Sequence, residues 1–157
     1  MKYHLMKPGE ESEVFDLVFR TFSEFIAPHY SRAGILEFLK YIRPAYLLER
    51  LKKDYFVLLA TAQRKLIGII EVRGRSHISL LFVDKPFQRK GIARELLRRT
   101  LRICLKEKPD LSKMTVNASP NSVKIYKKLG FRPAGSEQVK KGIRYTPMTL
   151  ELRSFPT

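Results

Sequence analysis

Apolar residues recur along this chain with two different periods. From Ser12 to Ile26 they return at helical spacing, as Val14, Phe15, Val18, Phe22 and Phe25, and Pro28 closes the run. Ser31 suits the N-cap of a second helix carrying Ile35, Phe38, Leu39 and Ile42, which Pro44 ends, and Ala45 to Leu51 reads as a further short helical piece. Lys2 to Met6, ahead of Pro8-Gly9, reads as a first strand. After Tyr55 the period shortens: Tyr55–Ala60 and Leu66–Arg73 flank a turn at Gln63-Arg64-Lys65, and His77–Val83 is a third strand of this group. From Gly91 to about Lys106 a helical stripe of Ile92, Ala93, Leu96, Leu97, Leu101, Cys104 and Leu105 opposes Arg98, Arg99, Arg102 and Lys106. Met114–Ala118 predicts a strand, Pro120–Leu129 a helix capped by Gly130, and Phe131–Ser136 another strand. In the last strand, Ile143–Arg153, Met148, Leu150 and Leu152 alternate with polar neighbours.

Composition fits this picture. With 157 residues, 44% of them hydrophobic, ten Phe and seven Tyr, the chain can bury a substantial core as one domain. There is no repeat, no low-complexity segment and no interdomain linker. No apolar run reaches the ~20 residues of a membrane span, and the Lys-containing N-terminus lacks a secretory core. The expectation is a cytoplasmic protein without a membrane partner. The single cysteine, Cys104, allows no internal disulfide and falls on the apolar stripe, where it packs. Three scattered histidines give no zinc pattern, so no metal is expected. The 31 Lys and Arg against 15 Asp and Glu, a formal net charge of +16, would attract polyanions. The cations are dispersed, though, and form no nucleic-acid motif, so a nucleic-acid partner is not the first reading.

Leu81 to Leu97 carries the chemistry. An apolar strand enters a basic turn, Lys85-Pro86-Phe87-Gln88-Arg89-Lys90-Gly91, that opens directly into a helix. A helix N-terminus offers unpaired N–H groups and partial positive charge, and Gly91 lets the main chain approach a ligand. Arg89, Lys90 and Arg94 sit where the helix dipole disfavours cations by ~0.3–1 kcal/mol each. An anion at that place would reverse the penalty. The turn reads as a pyrophosphate cradle.

Gln88-Arg89-Lys90-Gly91-Ile92-Ala93 resembles the Q/R-x-x-G-x-G/A signature of the GNAT superfamily of acetyl-CoA-dependent N-acetyltransferases. Asn117-Ala118-Ser119-Pro120-Asn121-Ser122 with Tyr126-Lys127-Lys128-Leu129-Gly130-Phe131 resembles that superfamily's second block. The resemblance extends from about Leu66 to Phe131, and the first sixty residues agree only in element order. It implies a single α/β domain over 1–157 with a mixed, predominantly antiparallel seven-stranded sheet and about four helices. It further implies acetyl-CoA as the donor, with the main chain of Leu81, Phe82 and Val83 along the pantetheine arm. The main-chain amides of Arg89, Lys90, Gly91, Ile92 and Ala93, with the Arg89, Lys90 and Arg94 side chains, would hold the pyrophosphate, and Asn117 and Asn121 would lie beside the arm. Gln88 stands where arginine is frequent, and Ala93 replaces the last glycine. The resemblance makes Tyr126 the acid that protonates the departing thiolate. A phenol of pKa ~10 can serve a thiol of pKa ~8.5.

The base is less marked. Glu71, among Ile69, Ile70 and Val72, is the first candidate, against an ion-paired strand glutamate; His77 is the second. The resemblance implies that the loop between the first two helices sets acceptor choice, which makes Glu24 and His29, and after them Phe25, Tyr30 and Tyr41, candidates for the acceptor side. The acceptor is an amine of unknown identity, and a basic protein disfavours polycations unless the acceptor pocket is locally acidic. Two alternatives stay open: transfer to aminoacyl-tRNA, and a non-catalytic coenzyme A-binding regulatory module. A homodimer through the late strands is compatible with the resemblance.

Overall fold

The computed structural model describes residues 1–156. Strand β1 (Lys2–Leu5) leads into α1 (Glu11–Phe25), α2 (Arg32–Tyr41) and α3 (Pro44–Leu51). Ser31 caps α2 by accepting a hydrogen bond from Gly34 N at 3.1 Å, and Pro44 opens α3, where a missing N–H costs nothing. Three strands follow, β2 (Tyr55–Ala62), β3 (Lys65–Arg73) and β4 (His77–Val83), then α4 (Ile92–Glu107), β5 (Lys113–Ala118) and α5 (Val123–Lys128). The chain finishes with β6 (Arg132–Pro133), β7 (Gln138–Lys140) and β8 (Ile143–Glu151).

The sheet runs β1-β2-β3-β4-β5-β8-β6, with β7 paired to β8. All pairings are antiparallel except β4 with β5. The sheet therefore has eight strands rather than the expected seven, and the five helical segments of the sequence pattern all form α-helices that cover it. The difference arises after Gly130. The expected strand Phe131–Ser136 shortens to Arg132–Pro133, and Gln138–Lys140 forms a hairpin with β8 around Lys141-Gly142, both at positive φ. The helix expected over Pro120–Leu129 starts later, at Val123, because Ser119 to Ser122 form a turn closed by the Ser122 N–H to Ser119 O bond.

Central strands β2 and β3 are buried on both faces, and their alternate side chains divide between two cores. Val57, Leu59 and Ile69 pack under α1–α3 with Val14, Val18, Phe22 and Leu47. Leu58, Ile70 and Val72 pack under α4 with Leu96, Leu97 and Leu101. Cys104 is fully buried in that second core, and burial raises its thiol to about 11. Helices are thus fixed on both faces of the sheet, and the functional features collect where its two halves separate.

Candidate active site

β4 and β5 pair only at His77–Thr115 and Ile78–Val116. Beyond Ile78 the strands diverge, although β4 stays paired to β3 as far as Gly68–Val83. The β5-facing edge of Leu80–Val83 thus has no strand partner and presents its main-chain groups to the gap. A register shift marks the place of divergence. Glu71 faces Leu80 and Val72 faces Ile78, so Ser79 is an extra residue on β4. Such a bulge bends the strand that carries it.

A buried polar cluster lies behind this bulge. Glu71 has no exposed surface; its Oε1 accepts from Ser79 Oγ at 2.6 Å and Tyr41 Oη at 2.8 Å, and its Oε2 accepts from Arg50 Nε at 2.9 Å. Arg50 also donates to the Tyr41 carbonyl at 2.6 Å, and its guanidinium carbon stands 3.7 Å from the Tyr41 ring centre. Burial first, then the Glu71 charge, pushes the Tyr41 phenol well above its ordinary value, which keeps it a donor. Glu71, the leading candidate for a base, has both carboxylate oxygens engaged and no surface for an incoming amine. The structure gives it the other role weighed for it, that of an ion-paired strand glutamate, here anchoring the bulge.

His77 lies at the paired end of β4. Its Nδ1 is 2.8 Å from Thr115 Oγ1, and burial, aided by Arg73, lowers its pKa to about 4. It is neutral at pH 7 but too weakly basic to take a proton from an alkylammonium, and it is set back from the gap. Neither expected base is therefore placed as one.

The basic turn follows β4 as a 3-10 stretch, Lys85–Phe87, before the chain reverses. Arg89 is left-handed at φ 62°, a conformation costing a non-glycine residue ~1–2 kcal/mol. Gly91 follows at φ 82° as the N-cap of α4, and no side chain caps the helix. A Cβ at Gly91 would meet nothing within 4 Å, so the glycine faces open space beside free helix N–H groups. These features fit a pyrophosphate, which would take those donors together with the exposed Arg89 and Lys90. The Ile92 side chain is core, and Ala93 is half-buried, so both can offer only main chain. Within this turn and the start of α4, Gln88, the first residue of the signature, and Arg94 are engaged elsewhere. Gln88 donates to Val83 O at 2.9 Å, tying the turn to the end of β4, and Arg94 donates to Lys128 O at 2.8 Å, joining the first turn of α4 to the end of α5.

The C-terminal end of α1 spans the gap. Glu24 meets Lys85 at 2.8 Å, just past β4, while Asn121 Nδ2, just past β5, donates to the Phe25 carbonyl. Arg20 and the buried Asp84 add a third tie at 3.3 Å. The α1–α2 connection then crosses toward the β7–β8 turn, where Ser31 Oγ bonds Gly142 O at 3.1 Å. Tyr30 is half-buried, its ring edge-on to Phe22 and its phenol raised to about 12 by burial, whereas His29 is exposed. Asn117 is exposed on β5, opposite Pro147. Tyr126 is 7% exposed, packed edge-on to Phe131 with ring centres 5.3 Å apart. Burial alone raises its phenol, so it stays protonated throughout the physiological range. Leu81 and Val83 are half-buried and Phe82 is buried. All three can serve a ligand through their main chain.

Sequence reasoning did not find Arg50, Ser79 or the strap from α1. The Arg50 signal was available: it falls in helical register with Leu47 and Leu51, on the apolar side of α3. Nothing in the sequence pairs Asn121 with Phe25.

A family model for the acetyltransferase (GNAT) domain matches residues 26–152, and the chain belongs to that family. Solved structures agree in fold. A GCN5-related N-acetyltransferase of Rhodopseudomonas palustris superposes with a TM-score of 0.81 at 19% identity, covering 96% of this chain and 94% of that one. The PaiA N-acetyltransferase of Thermoplasma acidophilum in complex with coenzyme A gives 0.74 at 20% identity, covering 96% and 99%. An aminoglycoside 6'-N-acetyltransferase complexed with coenzyme A gives 0.72 at 13% identity, covering both chains fully. No curated protein matches this chain in sequence.

Proposed function

We propose that the protein is an N-acetyltransferase that moves the acetyl group of acetyl-CoA directly to a primary amine while both are bound. The observation that carries this reading is the unpaired edge of β4, which runs from the bulge at Ser79 to Val83, followed through the basic turn by the uncapped N-terminus of α4. A pantetheine arm can add to that edge much as a strand would, its pyrophosphate resting on the helix.

Acetyl-CoA supplies an acyl group already activated as a thioester. The chain's own part is to hold and polarise it. Main-chain N–H groups near the bulge are fixed by the Glu71 cluster and need no reorganisation as charge develops on the carbonyl oxygen. The amine nitrogen forms the C–N bond as the C–S bond breaks, and the proton which that nitrogen then sheds passes to solvent, which in turn restores the Tyr126 phenol. Tyr126 provides the proton for sulfur. Burial lifts the phenol further above the thiol it serves and so weakens it as an acid, which favours proton movement in concert with C–S cleavage. With Glu71 sequestered and His77 weak, the amine loses its proton to water before attack.

Release of free thiol from acetyl-CoA, measured against a broad library of amines, tests the reading. Turnover with at least one amine is expected. Tight acetyl-CoA binding with no thiol release from any amine would instead favour a cofactor-sensing module.

A further inference from the structure

The acceptor side shows which kind of amine it suits, and this argument rests on the acetyltransferase reading above. Two segments pack together on that side: residues 24–41, which run from the end of α1, where it spans the gap, through α2, and residues 134–146, which contain the β7–β8 turn. They meet where Gly34 packs against Gly142, so closely that a Cβ on Gly34 would lie 2.2 Å from the Gly142 carbonyl oxygen. Their acids are Glu24, Glu37 and Glu137. Each is already engaged: Glu24 with Lys85 at 2.8 Å, Glu37 with Lys141 at 3.7 Å and Glu137 with Arg144 at 2.9 Å. Exposed pairs such as these add little stability. Their charges cancel nonetheless, and that is what a ligand meets. The buried Glu71 is neutralised by Arg50 in the same way.

The cations are not all matched. Arg32 opens α2 beside the Gly34–Gly142 contact, Lys140 lies two residues before Gly142, and Lys40 lies toward the far end of α2; all three are exposed and form no ion pair among the described residues. A polyammonium acceptor would thus find no free carboxylate and three uncompensated cations, of which Arg32 and Lys140 lie nearest the contact between the two segments. An amine with its own negative group would find the complementary arrangement. We infer that the acceptor is a small amine carrying an anionic group, a carboxylate or a phosphate, which Arg32 and Lys140 receive while the amine reaches the thioester. In this the protein departs from its structural neighbour that acts on aminoglycosides, whose substrates are polycations.

Matched acceptors test the inference. Binding of acetyl-CoA is first established by calorimetry. Thiol release is then measured for an amino acid against its carboxamide, for aminoethyl phosphate against aminoethanol, and for spermidine and an aminoglycoside. The anionic member of at least one pair should exceed its neutral partner in kcat/KM by about tenfold or more, with both polycations below either. The pair that shows the larger ratio identifies carboxylate or phosphate as the group received. In Arg32→Ala/Lys140→Ala that ratio should fall below about threefold. Preference for a neutral member or a polycation would overturn the inference and leave the acetyltransferase reading intact. Acetyl-CoA binding with turnover of none of these amines would also overturn the inference, and the broad amine library would then decide the acetyltransferase reading. Failure to bind acetyl-CoA would remove the reading itself, and the inference with it.

Discussion

Tyr126 and Glu71 show how burial divides roles among titratable groups. At Tyr126 it acts without a charged neighbour and holds the phenol protonated. Tyr126→Phe removes only the hydroxyl, so kcat should fall by about tenfold or more, equivalent to ~1.4 kcal/mol of barrier, while acetyl-CoA affinity measured by calorimetry stays the same. At Glu71 burial is tolerated because Arg50 supplies the opposite charge. Glu71→Ala leaves that guanidinium buried and unpaired and should cost about 3–5 kcal/mol in denaturant unfolding. The double variant Glu71→Leu/Arg50→Met, which removes both charges, should recover most of that loss. The pH profile follows from the same placements. His77 titrates near 4, so it cannot produce a limb in kcat/KM near neutrality. The rate should rise with pH as the acceptor loses its own proton, and an acceptor with an ammonium pKa about one unit lower should shift that limb down by about one unit. A limb fixed near pH 6–7 for every acceptor would reveal a protein base.

Among the elements, those with a strong period were legible before the structure. The His77–Val83 strand matches its expected limits, as does the start of the last strand at Ile143. The α4 helix has a complete apolar stripe, and its turn carries a glycine whose positive φ the structure requires. β6 and β7 were not legible, because a two-residue and a three-residue strand hold too few positions to show alternation and are ordered by pairing with β8. The gap was only partly legible. Its cradle is local in sequence, whereas the bulge depends on Tyr41, Arg50 and Glu71, which reach Ser79 through contacts 8 to 30 residues apart. The α2 contact with the β7–β8 turn is equally non-local. Gly34→Ala would drive a methyl into the Gly142 carbonyl and force the two elements apart. Overpacking of this kind costs ~1–3 kcal/mol. The expected outcome is a lower Tm and a raised acceptor KM, with the acetyl-CoA Kd unchanged because the cradle lies elsewhere.

For the molecule as a whole, the positive charge is unevenly shared. Between Lys85 and Arg132 lie fourteen of the 31 Lys and Arg but only three of the 15 acids. That stretch includes the cradle turn, α4 and α5, so positive charge is concentrated in the part of the chain where a pyrophosphate would dock, which favours the approach of a polyanionic donor. Across the sheet, α1 ties the ends of β4 and β5 together, which sets the width of the gap between them. In the proposed arrangement both donor and acceptor would meet uncompensated positive charge as they approach one opening, and β4 would be common to both. Hydrogen exchange of the whole chain with and without acetyl-CoA tests this arrangement most directly. The amides of Leu80–Val83 and of Arg89–Glu95 should gain protection together, while β1, β2 and the far end of α4 stay unchanged. Tight binding of acetyl-CoA that protects neither segment would contradict it.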